Sequence, residues 1–289
     1  MPSFIKNILW PTDFSPEGEG ALLYASLFAK AFSARITALH VVPDLLPAFY
    51  ADQPAIEQEI SRHMKEVNRE AQSKLKAVEK RRKLGFKKVI VAEGAAAKKI
   101  VETAENEKAD LIVMGKKGQS MLERVLIGSV ANHVVRHSPV PVLLTKKGKP
   151  PAGIKKILVP TDFTKEEDAE REFAWDLAKG FGASLIFLYV LELYGHEFRM
   201  VDHMFKAALT KFKKRAQKAK RGISVSKDVI PAATAAAGID EYSRKRHCDL
   251  IVMATCARGL GRFLLGSTTD KVISLTDLPV YVLPPHYCR

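Results

Sequence analysis

Two hydrophobic periods alternate along this chain. A short β-rich run over 5–10 ends at Pro11-Thr12-Asp13, and over about 17–32 Leu22, Ala25, Ala29 and Phe32 recur at helical spacing. A second strand pattern covers 35–42. Ile56, Ile60, Met64, Val67, Ala71, Leu75 and Val78 then follow at intervals of three and four, which predicts one long amphipathic helix over 55–83. A strand at 87–92, a helix at 95–107, a strand at 110–114, a helix at 128–137 and a strand at 140–144 complete the series. Strands alternating with helices predict parallel βαβ units. The strands LIVM and VPVLL are apolar throughout, as expected when helices cover both faces of the sheet.

The pattern is written twice. Residues 5–42 and 154–191 share the opening I-K-x-I-L-x-P-T-D-F at a constant offset, ADLIVMG (109–115) returns as CDLIVMA (248–254), and PVPVLL (139–144) as LPVYVL (278–283). Similarity in register from end to end predicts a duplicated domain. The basic, Pro/Gly-rich stretch KKGKPPAG (146–153) marks the junction, giving domains at 1–147 and 154–289. The second copy has a shorter helical segment at 198–220 and a helix at 233–246.

Composition narrows the picture without deciding it. In 289 residues, 47% are hydrophobic, so each half can bury a core, and no apolar run approaches the roughly 20 residues needed to span a bilayer. The first residues lack the order of a signal peptide, and a cytoplasmic protein is expected. Three cysteines without close pairing argue against a disulfide framework or a zinc knuckle. The formal net charge of +14 favours anionic partners but does not choose among nucleotides, nucleic acid and acidic surfaces.

The candidate chemistry lies in VMGKKGQSMLERVLIGSV, residues 113–130. In an open parallel sheet, ligands sit beyond the carboxyl ends of strands, and Gly115 is at such an end. Glycine lets the backbone come close, and Gly128-Ser129 opens a helix whose unpaired amides and dipole favour an anion. Lys116 and Lys117 add positive charge within the loop. The spacing matches neither a Walker loop nor a dinucleotide fingerprint. Read this way, a phosphate cradle and a structural loop with Ser129 as an ordinary N-cap stand about even. Asp13 reads either as a ligand contact or as a turn residue in P-T-D-F-S, and beside an intact glycine loop the binding role is favoured.

The motifs taken together are more specific. Gly115-x2-Gly118-x9-Gly128-Ser129 resembles the G-x2-G-x9-G-[ST] nucleotide-binding signature of the universal stress protein family. ILWPTDFS, HVV, DLIVMG and IGSVANHVVRHSPVPVLL resemble that family too, and the likeness covers the whole chain as a tandem pair. The resemblance implies two adenine-nucleotide alpha hydrolase-like α/β domains. Each would have a five-stranded parallel sheet of order 3-2-1-4-5, with ATP, or ADP or AMP, held with magnesium between strands one and four. Carried over, Pro11, Thr12 and Asp13 would lie along the adenosine, with the Asp13 carboxylate on a ribose hydroxyl or the adenine side. Val41 would hold the adenine edge through its backbone, and Met114 would pack beside the ligand. Gly115, Gly118, Gly128, Ser129 and Val130 would contact the phosphates.

The second half departs from this pattern. Ala254 replaces Gly115, one residue is missing before Gly266-Ser267, and the counterpart of Gly118 falls near Cys256 or Ala257. Weak or absent ATP binding is expected there. No nucleophile–base pair and no carboxylate cluster for magnesium is visible, so no catalytic residue is assigned, and any hydrolysis of ATP is expected to be slow. The rival readings are an adenylyl-transferring or nucleotide-hydrolysing enzyme of the same superfamily and a nucleotide-independent scaffold using the basic surface.

Three other features receive plainer readings. His133 and His137 lie four apart on a helix with no third ligand nearby, and are read as a surface pair rather than a metal site. The basic run KFKKRAQKAKRG (211–222) is read as a solvated helix face rather than a nucleic-acid contact. The strands at 139–144 and 278–283 are edge strands that need covering, so the two are expected to pair within the chain, with homodimerisation left open.

Overall fold

The computed structural model describes residues 4–43, 54–118, 127–146, 148, 150, 152–162, 167–193, 203, 205–207, 209–210, 222–254, 266–284 and 287. The first half runs β1 (Asn7–Pro11), α1 (Pro16–Phe32), β2 (Arg35–Val42), α2 (Pro54–Arg82), β3 (Lys88–Glu93), α3 (Ala96–Asn106), β4 (Leu111–Gly115), α4 (Ser129–His137) and β5 (Val142–Thr145). The second runs β6 (Lys156–Pro160), α5 (Glu167–Phe181), β7 (Ser184–Glu192), β8 (Val225–Ala232), α6 (Ala235–Lys245), β9 (Leu250–Ala254), α7 (Ser267–Leu275) and β10 (Val280–Leu283). The helix expected over 198–220 falls largely outside the described residues, although 203, 205–207 and 209–210 are helical.

Local chemistry sets the boundaries. Ser15 caps α1 by accepting from the Gly18 amide at 3.1 Å, Pro16 occupies the first turn, and Ser33 closes the helix in the left-handed region. The repeat extends to its hydrogen bonds. Asp110 accepts from the amides of Lys6 and Asn7, and its copy Asp249 accepts from Lys155 and Lys156. Each aspartate thereby fixes how the first strand of its domain enters beside the fourth. At the end of α2, Arg81 and Arg82 reach across to Glu19 on α1 at 2.6 and 3.2 Å, so these cations do more than complement their own helix dipole.

Each half has the strand order 3-2-1-4-5, and the halves are joined. The full order is β3-β2-β1-β4-β5-β10-β9-β6-β7-β8. All neighbours are parallel except the central pair, in which Val280, Tyr281 and Val282 run antiparallel to Leu144, Leu143 and Val142. The apolar edge strands of the two domains thus cover one another. β4 is buried along its whole length, consistent with helices on both faces. Ile8 and Trp10 enter one core and Leu9 the other.

The core on the α1/α5 side runs across both halves. Phe28 and Phe32 of α1 meet Phe181 of α5 edge-on, with centroids 4.8 and 5.2 Å apart, and Phe28 stacks on Tyr281 of β10 at 6.3 Å. The second domain is therefore part of the hydrophobic support of the first. Among the described residues, no helix is long and apolar enough to cross a membrane.

Candidate functional site

The carboxyl ends of β1 and β4 open onto one cavity of about 330 Å³, and all ten site residues named from the sequence line it. This is where the strand order of the first half reverses, with β1 between β2 and β4.

The β1 wall is a tightly bonded turn. Thr12 donates its amide to Leu39 O at 2.9 Å and accepts the Phe14 amide on Oγ1 at 3.0 Å. Asp13 Oδ1 accepts from the Ser15 amide at 3.0 Å. Asp13 is thus a turn residue and a cavity residue at once, and the two readings of it do not compete. Phe14 lies at φ +63°, an unusual region for an aromatic residue. It is held there by His40, whose ring packs on it at 4.5 Å and whose Nδ1 donates to Thr12 O at 2.8 Å.

The β4 wall explains two of the glycines. A Cβ at Gly115 would stand 2.9 Å from Glu17 Cβ, so this glycine lets the first turn of α1 approach β4. A Cβ at Gly118 would stand 2.6 Å from Asp13 Oδ2, so the second glycine brings the loop onto the carboxylate. Neither contact is visible from spacing.

The third wall is the start of α4. Gly128 is the N-cap residue, its amide donates to Lys116 O at 2.8 Å, and no side chain caps the helix. Ser129 is therefore the first helical residue, not the cap. Its exposed position leaves the hydroxyl available beside the helix amides. The sequence reading missed the remaining wall. Ala96 and Ile100 of α3 and Gly18 of α1 also line the cavity, and generic small and apolar residues carry no signal of that.

Lys116 does not supply charge to the loop. The residue borders the cavity, but its side chain is buried, with 3% exposed, and donates from Nζ to Thr276 O at 2.8 Å and Leu278 O at 3.2 Å in the second half. Burial, with Lys146 nearby, pushes its pKa from 10.5 down to about 7, against the opposing pull of Asp277 and Asp240. The linkage has a definite sign. Between about pH 7 and 10.5 the unfolded chain holds a proton on this lysine that the folded chain has lost, so stability rises with pH. Wild-type protein should gain stability relative to Lys116→Met between about pH 7 and 9, read by urea denaturation. A constant difference across that window would contradict the burial account.

His133 and His137 stack at 4.0 Å on an exposed face of α4, with His137 Nδ1 donating to His133 O at 2.9 Å. Burial and the neighbouring His137 lower the His133 pKa. No cluster of three metal-binding side chains occurs among the described residues. The basic run at 211–222 lies outside the described residues except for Gly222, as do Cys256 and the loop between Ala254 and Gly266.

The second crevice is built differently where it is described. Thr161 repeats the Thr12 contact, donating its amide to Leu188 O at 2.8 Å. However, Glu192 accepts from the Ala235 amide at 2.6 Å, placing a carboxylate on the N-terminus of α6. In the first half, the N-cap of α3 is Ala95, and no side chain caps that helix. Thr269 Oγ1 donates to Ala254 O at 2.9 Å across the end of β9. The β7–α6 side is tight, since a Cβ on Gly238 would meet Val190 Cγ1 at 2.8 Å.

Comparison with known proteins follows the duplication. The profile of the Universal stress protein family matches residues 5–146 and again 153–284. A universal stress protein of Methanocaldococcus jannaschii is 41% identical over 145 residues, spanning 50% of this chain and 84% of the relative. A second from the same organism is 31% identical, spanning 51% of this chain and 98% of the relative. The crystal structure of a universal stress protein from Archaeoglobus fulgidus is 26% identical with a TM-score of 0.67, and the likeness covers 98% of this chain and 99% of that one.

Proposed function

The chain belongs to the universal stress protein family, and from that membership we propose that its first half is an ATP site and its second half a degenerate partner that holds the first in place. One observation carries this reading. The Thr12-Asp13 turn, the Gly115–Gly118 loop and the uncapped start of α4 converge on a single cavity of about 330 Å³. That volume lies near the lower end of small-molecule sites, roughly 300–1,000 Å³, and suits a nucleotide lying partly open to solvent.

The roles follow from the chemistry of each wall. Pro11, Thr12 and Asp13 border the nucleoside, with the Asp13 carboxylate accepting from a ribose hydroxyl. Val41 meets the base edge through its backbone, and Met114 packs on the ligand from below. The phosphates lie against Gly115, Gly118 and the first amides of α4 at Gly128, Ser129 and Val130, where the helix dipole favours negative charge. Magnesium would accompany the phosphates, and among the described residues that line the cavity Asp13 supplies the carboxylate that could serve it. No side chain is assigned as nucleophile or base, so the proposed role is nucleotide-dependent sensing or protection under stress, in the cytoplasm, with at most slow hydrolysis.

The test is to denature purified protein and identify what it releases. Adenine nucleotide at close to one equivalent supports the reading. Its absence, together with no heat of binding on titration of stripped protein with ATP and magnesium, would remove it.

A further inference from the structure

We propose that Lys116 is a positioning residue that anchors the glycine loop of the first crevice to the turn between α7 and β10, so that the second half keeps the ligand site of the first in shape. The ligand assignment of that site is the reading given above. The mechanical tie does not depend on it.

The tie is made at both ends of one residue. On the backbone side, Lys116 follows Gly115, its amide donates to Thr145 O at 2.8 Å, and its carbonyl accepts from the Gly128 amide at 2.8 Å. It thereby joins the end of β5 to the end of β4 and the start of α4, the last two of which border the cavity. On the side-chain side, Nζ reaches two carbonyls in the other half, Thr276 O, at the C-cap of α7, and Leu278 O, shortly before β10. That turn is itself held shut, since Thr276 Oγ1 accepts from the Leu278 amide at 3.2 Å. Lys146 and Asp277 pair beside it across the same seam.

The energetics favour a fixed anchor over a mobile one. A lysine 3% exposed has left water, and its hydrogen bonds are satisfied only while the α7–β10 turn keeps its place. Withdrawing Nζ would leave a buried donor, the buried Thr276 carbonyl and the partly buried Leu278 carbonyl without those partners, so loop and turn should move together. Among the described residues the arrangement is also one-sided. In the repeat, Lys116 aligns with Thr255, so the sequence does not repeat the lysine. The first domain's counterpart of the turn is held, among the described residues, by Ser138 Oγ with the Val140 amide and carbonyl. A degenerate second domain that still steadies the intact loop of the first has a reason to be retained in the chain.

Hydrogen exchange on the full-length protein tests this from both ends. Lys116→Met removes the donor and keeps the length. Thr276→Val loosens the turn from the other half, and Thr276 does not line the cavity. Each variant should speed exchange of the amides at 115–118 and 128–131 by about tenfold, the scale of one buried hydrogen bond, while those of α2 stay unchanged. ATP affinity should fall by a similar factor. If both variants loosen 276–280 and leave 115–118 and 128–131 at wild-type rates, the anchor is refuted. If Lys116→Met fails to fold, Thr276→Val decides alone. Faster loop exchange in a protein that binds no ATP at all would uphold the anchor and defeat the nucleotide reading.

Discussion

Gly118→Leu should abolish ATP binding and leave the fold standing. The expectation comes from which atom the new side chain meets. Its Cβ would fall 2.6 Å from Asp13 Oδ2, closer than real contacts allow, and the next atom of that carboxyl group is 3.7 Å away. Gly118 is not among the residues with positive φ, so the substitution adds no backbone strain. The loop meets a short polar side chain rather than a packed core, and moving Asp13 costs about 1 kcal/mol for its bond from the Ser15 amide, too little to unfold the domain. Its displacement costs the site the carboxylate proposed to hold the ribose, and the leucine itself adds bulk to the loop proposed to face the phosphates. Loss of one charged hydrogen bond, up to about 3 kcal/mol, corresponds to roughly a hundredfold in affinity before any steric term. Calorimetry should show no measurable ATP binding, with a melting temperature within a few degrees of wild type. Unchanged affinity would detach this loop from the site.

Gly180→Ala should destabilise the whole chain, although the sequence alone recommends it. Glycine inside a helix is about 0.5–1 kcal/mol worse than alanine, so on propensity the change stabilises α5. The structure reverses the sign. A Cβ at Gly180 would lie 2.0 Å from Phe32 Cε1 and 2.4 Å from Cζ on α1. The Phe32 ring has little room to retreat, because Phe4 and Phe181 pack on it at 5.2 Å and Phe28 at 6.0 Å. Overpacking of this kind costs about 1–3 kcal/mol and outweighs the helical gain. Thermal unfolding should shift down by several degrees. Phe32→Leu in the Gly180→Ala background should recover part of the loss, giving a non-additive double-mutant cycle. A stabilised Gly180→Ala protein would show that α1 and α5 do not meet closely.

These two glycines also show what the sequence could and could not disclose. The fold was legible because its signals are local and written twice: apolar strands, helical periods, and strand ends marked by Pro-Thr-Asp and by Gly115. The cavity was legible in outline for the same reason, since the ends of β1 and β4 must adjoin wherever the strand order reverses. The reasons for individual residues were not legible. Gly118 faces Asp13, more than a hundred residues away in the chain, and Gly115 faces the first turn of α1. Lys116, in a basic loop beside a phosphate-type helix start, reads as an anion-binding cation. Its actual partners are backbone carbonyls 160 and 162 residues further on, set by how β5 meets β10. Ala96 and Ile100, which close the cavity from α3, carry no chemistry that a sequence could display. The second crevice carries a similar lesson. Its missing glycines were visible, whereas the Glu192 carboxylate on the N-terminus of α6 emerged only from the packing.

The central claim is asymmetry: one fold written twice, with one working nucleotide site. Calorimetric titration of nucleotide-free, full-length protein with ATP and magnesium tests it most directly. The account predicts a stoichiometry close to one ATP per chain, abolished by Gly118→Leu. Two ATP per chain, or one that survives Gly118→Leu, would contradict it.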